Sequence, residues 1–169
     1  MARILPTLCS LVLLPAFGWA AEYRMADYRA PTPPAVEGAT TVDTAQAKAL
    51  LESGAVVAIN VMPAPRQPGS GTWLLPKPRQ HLPGSTWLAN VGYGDLPPAM
   101  QEWFRTRLNG MGGRGLMFYC MADCWMSWNA AKRAVEWGFS PVYWYRDGTD
   151  GWSLAGLPLE QATPLGPAN

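Results

Sequence analysis

LMFYCMADCWMSWN, residues 116–129, is the stretch of sequence that decides the fold. The apolar run before Cys120 predicts a buried strand that stops at this cysteine. From Cys124 to Glu136, apolar residues recur at spacings of four, three and four, which predicts a helix. A short loop between the two cysteines joins these elements. A strand, a loop and a helix in succession form the repeating unit of α/β proteins.

Strands and helices alternate on both sides of this stretch. Upstream, Asp43 followed by Gln46 resembles a capping box and predicts a helix that ends at Gly54. Residues 62–83 hold six prolines and predict a long loop without a regular element, and residues 147–151 predict a turn. Further strands are predicted over 55–61, 85–91 and 142–145, and a further helix over 97–109. The alternation predicts an α/β fold with a mainly parallel sheet.

The first 20 residues have the pattern of a cleaved signal peptide. Arg3 supplies a positive charge, residues 4–17 are mostly apolar, and the small residues Gly18 and Ala20 precede the predicted cleavage point. The apolar run is shorter than the roughly 20 residues that a membrane-spanning helix needs, so we expect cleavage and not a retained anchor. Export predicts a periplasmic protein, from which Cys9 is lost with the signal.

The rest of the chain is interpreted as one domain with an extension at each end. Residues 21–40 are rich in proline and predict an extended N-terminal arm, residues 41–160 form the domain, and residues 161–169 form a C-terminal tail. The 13 basic and 12 acidic side chains give a formal net charge of +1. Nucleic-acid binders carry a surplus of positive charge, so this class of protein is excluded.

The two remaining cysteines are the candidate catalytic residues. Cys120 is predicted at the carboxyl end of a strand, where parallel sheets carry their reactive sites, and the positive end of the following helix favours a nucleophilic thiolate. Four helical residues advance about 6 Å, near the upper limit for the Cα atoms of a disulfide. The pair could therefore form a readily reduced disulfide, or Cys124 could resolve an adduct on Cys120. A purely structural pair of small buried side chains is the alternative.

The predicted site also includes the loop and the helix N-terminus, namely Met121, Ala122, Asp123 and Trp125. Asp123 is interpreted as the helix cap. The loop holds no Lys or Arg that could bind an anionic sulfur donor. The indole rings of Trp125, Trp128 and Trp144 are expected in the core or beside the loop, with stacking on a flat cofactor or on a partner as the alternative.

Metal and haem sites are not expected. Zinc needs three or four nitrogen or sulfur ligands, and the only histidine is His81, which is interpreted as a loop residue bonded to backbone. Covalent haem attachment requires Cys-x-x-Cys-His, whereas here three residues separate the cysteines and Trp125 follows them. The sequence therefore predicts neither a metal nor a bound cofactor.

The order of these motifs resembles a rhodanese-homology domain over roughly residues 41–160. The matching segments are the strand that ends at Val61, the elements 81–85 (HLPGS) and 137–139 (WGF), the strand before Cys120, and the segment 147–158. The resemblance implies a three-layer α/β domain in which Cys120 accepts a sulfane sulfur, holds it as a persulfide and passes it to a thiophilic acceptor. Asn60 and Met62 depart from the pattern, since the family usually has Asp and Arg there.

A narrower likeness lies in the cysteine segment, residues 119–129. It resembles the exported CxxCW-motif proteins associated with catabolism by pyrroloquinoline-quinone (PQQ) enzymes. That resemblance implies a periplasmic accessory protein whose partner is a PQQ-dependent dehydrogenase, a c-type cytochrome or a transport component. Two functions stay open: sulfur transfer or thiol–disulfide exchange through Cys120 and Cys124, and a non-catalytic binding or assembly module that presents the aromatic cysteine loop.

Overall fold

A computed structural model describes residues 22–167 of the chain. Within this range the helices are α1 (Thr44–Glu52), α2 (Pro98–Asn109), α3 (Trp125–Glu136) and α4 (Gly148–Leu154). The strands are β1 (Thr40–Val42), β2 (Val56–Asn60), β3 (Arg79–His81), β4 (Thr86–Leu88), β5 (Gly115–Tyr119), β6 (Val142–Tyr145), β7 (Glu160–Ala162) and β8 (Pro164–Leu165). The predicted signal peptide with Cys9 lies outside the described residues.

Six strands form one sheet in the order β1-β6-β5-β2-β4-β8, and every neighbouring pair is parallel. β5 lies inside this sheet, with β2 on one side and β6 on the other. β3 and β7 form a separate antiparallel pair. The predicted α/β class with a mainly parallel sheet is confirmed, and Cys120 leaves the sheet from an interior strand.

Helices cover both faces of the sheet. Since alternate residues of a strand point to opposite sides, β5 contributes side chains to the core on each face. Leu116 and Phe118 of β5 enter a core that also contains residues of α2 and α3. Met117 and Tyr119 enter a second core that contains residues of α1 and α4. The three layers of the predicted rhodanese-like architecture are therefore present.

The ends of the predicted helices follow local sequence signals. The Asp43 carboxylate accepts a hydrogen bond of 2.8 Å from the Gln46 amide, and the Gln46 side-chain oxygen accepts one of 3.0 Å from the Asp43 amide. This is the capping box that the sequence predicts for α1. The helix predicted to end at Glu136 is α3, and it begins at Trp125 with Cys124 as its cap residue.

Several short elements differ from the sequence-based interpretation. β3 lies within the segment predicted to be a loop without regular structure, and α4 replaces the turn predicted over 147–151. β1 was not predicted, and β7 and β8 fall at the boundary and within the segment interpreted as a tail. The strands have two or three residues and are defined by partners far along the chain, so no local periodicity signals them. α4 is anchored by Trp152, which is 5% exposed and whose indole N–H donates to the Pro158 carbonyl.

Residues 22–39, which we call the arm, run from the N-terminal end of the described chain to β1. The arm has no helix and no strand of the sheet. It lies against α3 and the cysteine loop, through contacts described below. No helix between residues 22 and 167 has the length and apolar character needed to cross a bilayer.

Candidate active site

The two cysteines lie side by side at the carboxyl edge of the parallel sheet. Cys120 directly follows β5, and Cys124 directly precedes α3. Their Cα atoms are 6.1 Å apart and their sulfur atoms form a disulfide. Cys120 is 1% exposed and Cys124 4% exposed, so both sulfurs are shielded from solvent. The structure thus brings the two predicted catalytic residues together in an oxidised, covered state.

The loop between the cysteines is held by backbone pairing with α4. Met121 forms a one-residue antiparallel bridge with Gly148, and the Ala122 amide donates 3.2 Å to a carboxylate oxygen of Asp150. The amide of Thr149 donates 3.0 Å to the carbonyl oxygen of Cys120. The start of α4 therefore fixes the path of the chain on leaving β5.

Asp123 does not have the role expected of it. It is exposed, its φ is +52°, and α3 has no side-chain cap hydrogen bond. The interpretation as a helix cap is wrong because Cys124 occupies the cap position, and the amide of Trp125 donates to the carbonyl oxygen of Tyr28 in the arm at 2.9 Å. Asn and Asp adopt this left-handed conformation more readily than most residues, so Asp123 serves the turn between the cysteines.

Two arginines from distant parts of the chain have backbone positions beside the loop. Arg29 of the arm lies opposite Cys124 in an antiparallel bridge, and its side chain is exposed. Arg146 follows β6, and its guanidinium donates to the Thr32 hydroxyl at 3.0 Å. The positive end of α3 also points at Cys124, where it favours negative charge.

The positions where the family pattern has Asp and Arg are occupied differently. Asn60, the last residue of β2, is fully buried and its side-chain oxygen accepts 2.9 Å from the Met62 amide. The Asn60 side-chain nitrogen is buried and has no hydrogen-bond partner among residues 22–167. Met62 is buried in the larger core. Neither side chain offers a charge to the cysteine pair.

The three tryptophans near the loop have different surroundings. Trp128 is 3% exposed and donates to the Ala35 carbonyl, and Trp144 is fully buried and donates to the Ser127 hydroxyl. Both are packing residues, as expected for most of the aromatic side chains, and they offer no face to a flat cofactor. Trp125 is half-buried, with its ring centre 5.3 Å from that of Trp128 and the Arg24 guanidinium 5.3 Å above it.

His81 lies in a strand, whereas the sequence predicts a loop residue bonded to backbone. It is the last residue of β3, it is 6% exposed, and its Nε2 lies 3.2 Å from a carboxylate oxygen of Glu160. Glu160 also accepts 2.9 Å from the Gly84 amide. His81 therefore pairs with Glu160 in the backbone ladder of β3 and β7, and its side chain adds a contact with the Glu160 carboxylate. Among the described residues, no group of three metal-ligating side chains lies close enough to hold a metal ion.

A groove of about 550 Å³ opens between the cysteine loop and α4. Ala122 lines it on the loop side, and Asp147, Asp150 and Leu154 line it on the α4 side. Leu154 is 91% exposed. The groove leads from solvent to the loop, whereas the arm covers the loop at Cys124.

Sequence reasoning missed four residues that shape this site. Gly148 and Asp150 hold the loop from α4, Asn129 binds the arm backbone from α3, and the Arg133 guanidinium lies 4.3 Å from the ring centre of Tyr23 in the arm. The sequence predicts a turn over residues 147–151, and this prediction does not connect Gly148 or Asp150 with Cys120. Asn129 and Arg133 carried a signal, because polar residues four apart on the buried face of a helix need partners there.

Comparisons with known proteins place the fold. No family profile matches the chain and no curated protein matches it. Among solved structures, a Rhodopseudomonas palustris protein of unknown function, described as a possible tyrosine phosphatase, has a TM-score of 0.50 and 25% identity, covering 72% of this chain and 85% of that chain.

Two further solved structures concern sulfur chemistry. A thiosulfate sulfurtransferase from Pseudomonas aeruginosa has a TM-score of 0.50 and 18% identity, over 78% of this chain and 22% of that one. A variant of EanB with a cysteine persulfide, in a tetrahedral intermediate state with ergothioneine, has a TM-score of 0.53 and 23% identity. The match covers 73% of this chain and 32% of the EanB chain. The chain thus spans a third or less of these two proteins. Together the likenesses show a rhodanese-like fold.

Proposed function

We propose that this chain is an exported rhodanese-like thiol protein whose Cys120–Cys124 pair performs sulfur transfer or thiol–disulfide exchange. The observation that carries the proposal is the position of the disulfide, at the carboxyl edge of the sheet between β5 and the positive end of α3. Parallel sheets carry their reactive groups at this edge. The fold is shared with a thiosulfate sulfurtransferase, which makes sulfur transfer the chemistry to test first.

The exchange reaction begins from the disulfide seen in the structure. A thiolate of a dithiol reductant attacks one sulfur, the Cys120–Cys124 bond breaks, and the leaving thiolate takes a proton. The second thiol of the reductant then attacks the mixed disulfide. The products are the oxidised reductant and two free cysteines. Run in reverse, the same steps oxidise a dithiol partner.

Sulfur transfer begins from the reduced pair. The Cys120 thiolate attacks the sulfane sulfur of an anionic donor, the sulfur–sulfur bond of the donor breaks, and a persulfide forms on Cys120. An acceptor thiolate takes the outer sulfur and restores the Cys120 thiolate. If Cys124 instead attacks the inner sulfur, hydrosulfide leaves and the disulfide forms again. Cys124 is therefore the resolving thiol.

Phosphate-ester hydrolysis is not proposed, although one similar structure is described as a possible tyrosine phosphatase. A phosphatase variant of the fold would need an arginine six residues after the nucleophilic cysteine. Met126 stands there and is 1% exposed in the core. No guanidinium from that position could bind a phosphoryl group.

The physiological setting belongs to the same proposal. The signal-peptide pattern of residues 1–20 supports export to the periplasm. The likeness of residues 119–129 to the CxxCW-motif proteins supports an accessory role in PQQ-dependent alcohol catabolism. The partner would then be an exported dehydrogenase, a c-type cytochrome or a transport component.

A second candidate function is a non-catalytic binding or assembly module that presents the aromatic cysteine loop. The burial of both sulfurs favours it, because a disulfide shielded from solvent is suited to fixing the shape of the loop. Half-buried Trp125 would then be the contact residue, since partly exposed aromatic side chains often anchor protein interfaces.

Intact mass spectrometry of protein purified from the periplasm tests the chemistry. A mass about 2 Da below that of the dithiol reports the disulfide, and a gain of about 32 Da after incubation with thiosulfate reports a persulfide. We expect Cys120→Ser to abolish the gain and Cys124→Ser to retain it. A reduced pair that forms no adduct and exchanges with no dithiol would contradict the proposal.

Complementation separates the two candidate functions. In a strain that lacks this protein, growth on alcohol should be lost with folded Cys120→Ser if the thiol chemistry matters. The binding module predicts instead that Cys120→Ser is tolerated and that Trp125→Ala is damaging. Trp103→Ala is the matched control, because Trp103 is also half-buried and lies 5.4 Å from the Arg107 guanidinium on α2.

A further inference from the structure

We propose that the arm is a removable cover of the Cys120–Cys124 pair, and that protein-sized thiol partners reach the pair only when the arm lifts. The inference deepens the proposed function, since it concerns access to the same two sulfurs. It rests on how the arm is bound and on how little of the arm is buried.

The arm pairs with the backbone directly beside the disulfide. Arg29 and Cys124 face each other in a one-residue antiparallel bridge. The Ala30 amide donates 3.2 Å to the Asp123 carbonyl, and the Trp125 amide donates 2.9 Å to the Tyr28 carbonyl. The arm thus occupies, like an added strand, the backbone edge that a partner peptide would use to approach Cys124.

Polar side chains of α3 clamp the first residues of the arm. The amide of Asn129 binds the backbone of Arg24 in both directions, accepting 3.0 Å from its N–H and donating 2.9 Å to its carbonyl. The guanidinium of Arg133 lies 4.3 Å from the ring centre of Tyr23, whose hydroxyl donates to Glu136. Hydrogen bonds and contacts between cations and aromatic rings therefore fix the beginning of the arm.

Few side chains of the arm enter the core. Only Thr32 and Val36 are buried among residues 22–39, while Met25 is 61% exposed. Segments with few buried apolar contacts open with a smaller free energy than core strands do. Residues 23–30 of the arm can therefore detach while β5, whose five residues are all buried, stays folded.

Lifting leaves two backbone groups unpaired beside the disulfide, the Asp123 carbonyl and the Trp125 amide. An extended segment of a thiol-bearing partner can pair with both and bring its thiolate to the sulfurs. The partner thiolate then attacks the disulfide, one cysteine leaves as a thiolate, and a mixed disulfide joins the two proteins. The arm and the partner compete for one edge.

The test compares reduction of the disulfide by thioredoxin in the native protein and in clamp variants. Asn129→Ala removes both bonds to Arg24 together with a bond of 3.0 Å to the Gly92 carbonyl, and Arg24→Ala removes the cation above Trp125. We expect about a tenfold faster reduction in Asn129→Ala and a smaller gain in Arg24→Ala, since each lost hydrogen bond weakens the closed state. Thiols released are counted by alkylation and intact mass.

Two matched controls separate opening of the arm from general loss of stability. Gln101→Ala, on α2, removes a side-chain amide that donates 2.7 Å to the Leu96 carbonyl before the helix, and Arg107→Ala removes a cation 5.4 Å from Trp103. Both should change the reduction rate less than twofold. Equal acceleration in the controls, or no acceleration in the clamp variants, would overturn the proposal.

Hydrogen exchange on the unmodified protein gives a second reading that needs no variant. The amides of Ala30 and Trp125 bridge arm and loop, so we expect them to exchange together and faster than the β5 amides of Met117 and Phe118. Exchange of the Ala30 and Trp125 amides as slow as that of the β5 amides would overturn the proposal that the arm lifts. A failure of the proposed thiol chemistry is a separate result, because accessibility is measured with an added reductant and needs no natural activity.

Discussion

The amide of Thr149 donates a hydrogen bond of 3.0 Å to the carbonyl oxygen of Cys120, so α4 begins directly against the end of β5. The contact depends on the residue before it. Gly148 has a φ of +52°, and a Cβ atom there would lie 2.4 Å from the Cys120 carbonyl oxygen. The path of the chain beyond Cys120 therefore requires a residue without a side chain at position 148.

Gly148→Ala should destabilise the protein for two reasons. The left-handed backbone disfavours a Cβ, and the close approach to Cys120 forces α4 away from the loop. We expect a loss of roughly 2–3 kcal/mol in the free energy of unfolding, measured with urea. Gly54→Ala is the control, because Gly54 has a φ of +69° but no atom within 4 Å of its Cβ position. A loss no larger than that of the control would contradict the packing argument.

Reduction of the disulfide should lower the stability of the fold. Cys120 and Cys124 are separated by four positions, and closing so short a loop in the unfolded chain is worth roughly 2 kcal/mol. Urea unfolding with and without a reductant measures the difference. The double variant Cys120→Ser with Cys124→Ser should not respond to the reductant. Equal stability of the oxidised and reduced proteins would show that the bond does not constrain the unfolded chain.

Glu136 should contribute to stability at neutral pH and lose this contribution in acid. Burial alone would raise the pKa of Glu136. Hydrogen bonds from Lys132 and Tyr23 favour the ionised carboxylate, and together with the nearby positive charges they outweigh burial, so the pKa lies below the ordinary value of 4.5. A depressed pKa means that the folded state favours the ionised carboxylate. The contribution is complete above the ordinary pKa and disappears as the pH falls through the folded-state value.

Glu136→Gln should therefore cost roughly 0.5 kcal/mol at pH 7, since the carboxylate is partly exposed, and less at about pH 3, where the carboxylate begins to be protonated. Urea unfolding at the two pH values measures the difference. Glu52→Gln is the matched control, because Glu52 forms the same type of pair with Lys48 on α1 and touches no arm residue. A cost of Glu136→Gln that does not change with pH would show that the stabilisation does not come from the ionised carboxylate.

Much of the fold was predictable because its elements carry local signals. β2, β5 and β6 are apolar runs, α3 has a helical period, and α1 begins with the capping box of Asp43 and Gln46. β1 and β8 carry no such signal, since two or three residues form a strand only when a distant strand is already in place. The helix α4 escaped notice because Gly148 and Gly151 suggest a turn.

The candidate site divides in the same way. The pairing of Cys120 with Cys124 follows from their spacing along one strand–loop–helix unit. The cover could not be foreseen, because the arm pairs with the cysteine loop through backbone bonds on either side of Arg29 and Cys124, and backbone bonds leave no trace in residue types. The polar residues that clamp the arm left a weak trace, as Asn129 and Arg133 stand on a helix face that is otherwise apolar.

Asn60, at the end of β2, stands where the rhodanese-homology pattern usually has Asp, and the variant Asn60→Asp tests what this amide contributes. The side chain is fully buried, its oxygen accepts a bond from the Met62 amide, and its nitrogen finds no partner within residues 22–167. Asn60→Asp keeps the acceptor and removes the unpaired nitrogen, but it places a carboxyl group out of reach of water. Burial raises the pKa of such a carboxyl group because the charged form is poorly solvated.

A raised pKa gives the variant a stability that falls as the pH rises. At about pH 3 the introduced carboxyl is mostly neutral in both states, and we expect Asn60→Asp to be nearly as stable as the native protein. At pH 8 the unfolded state gains a solvated charge that the folded state cannot hold, so the loss should reach roughly 3 kcal/mol. Gln67→Glu, in an exposed loop, should show no such trend. A variant that is equally stable at both pH values would mean that a cation reaches the end of β2, and Arg146 beyond β6 would be the first to examine.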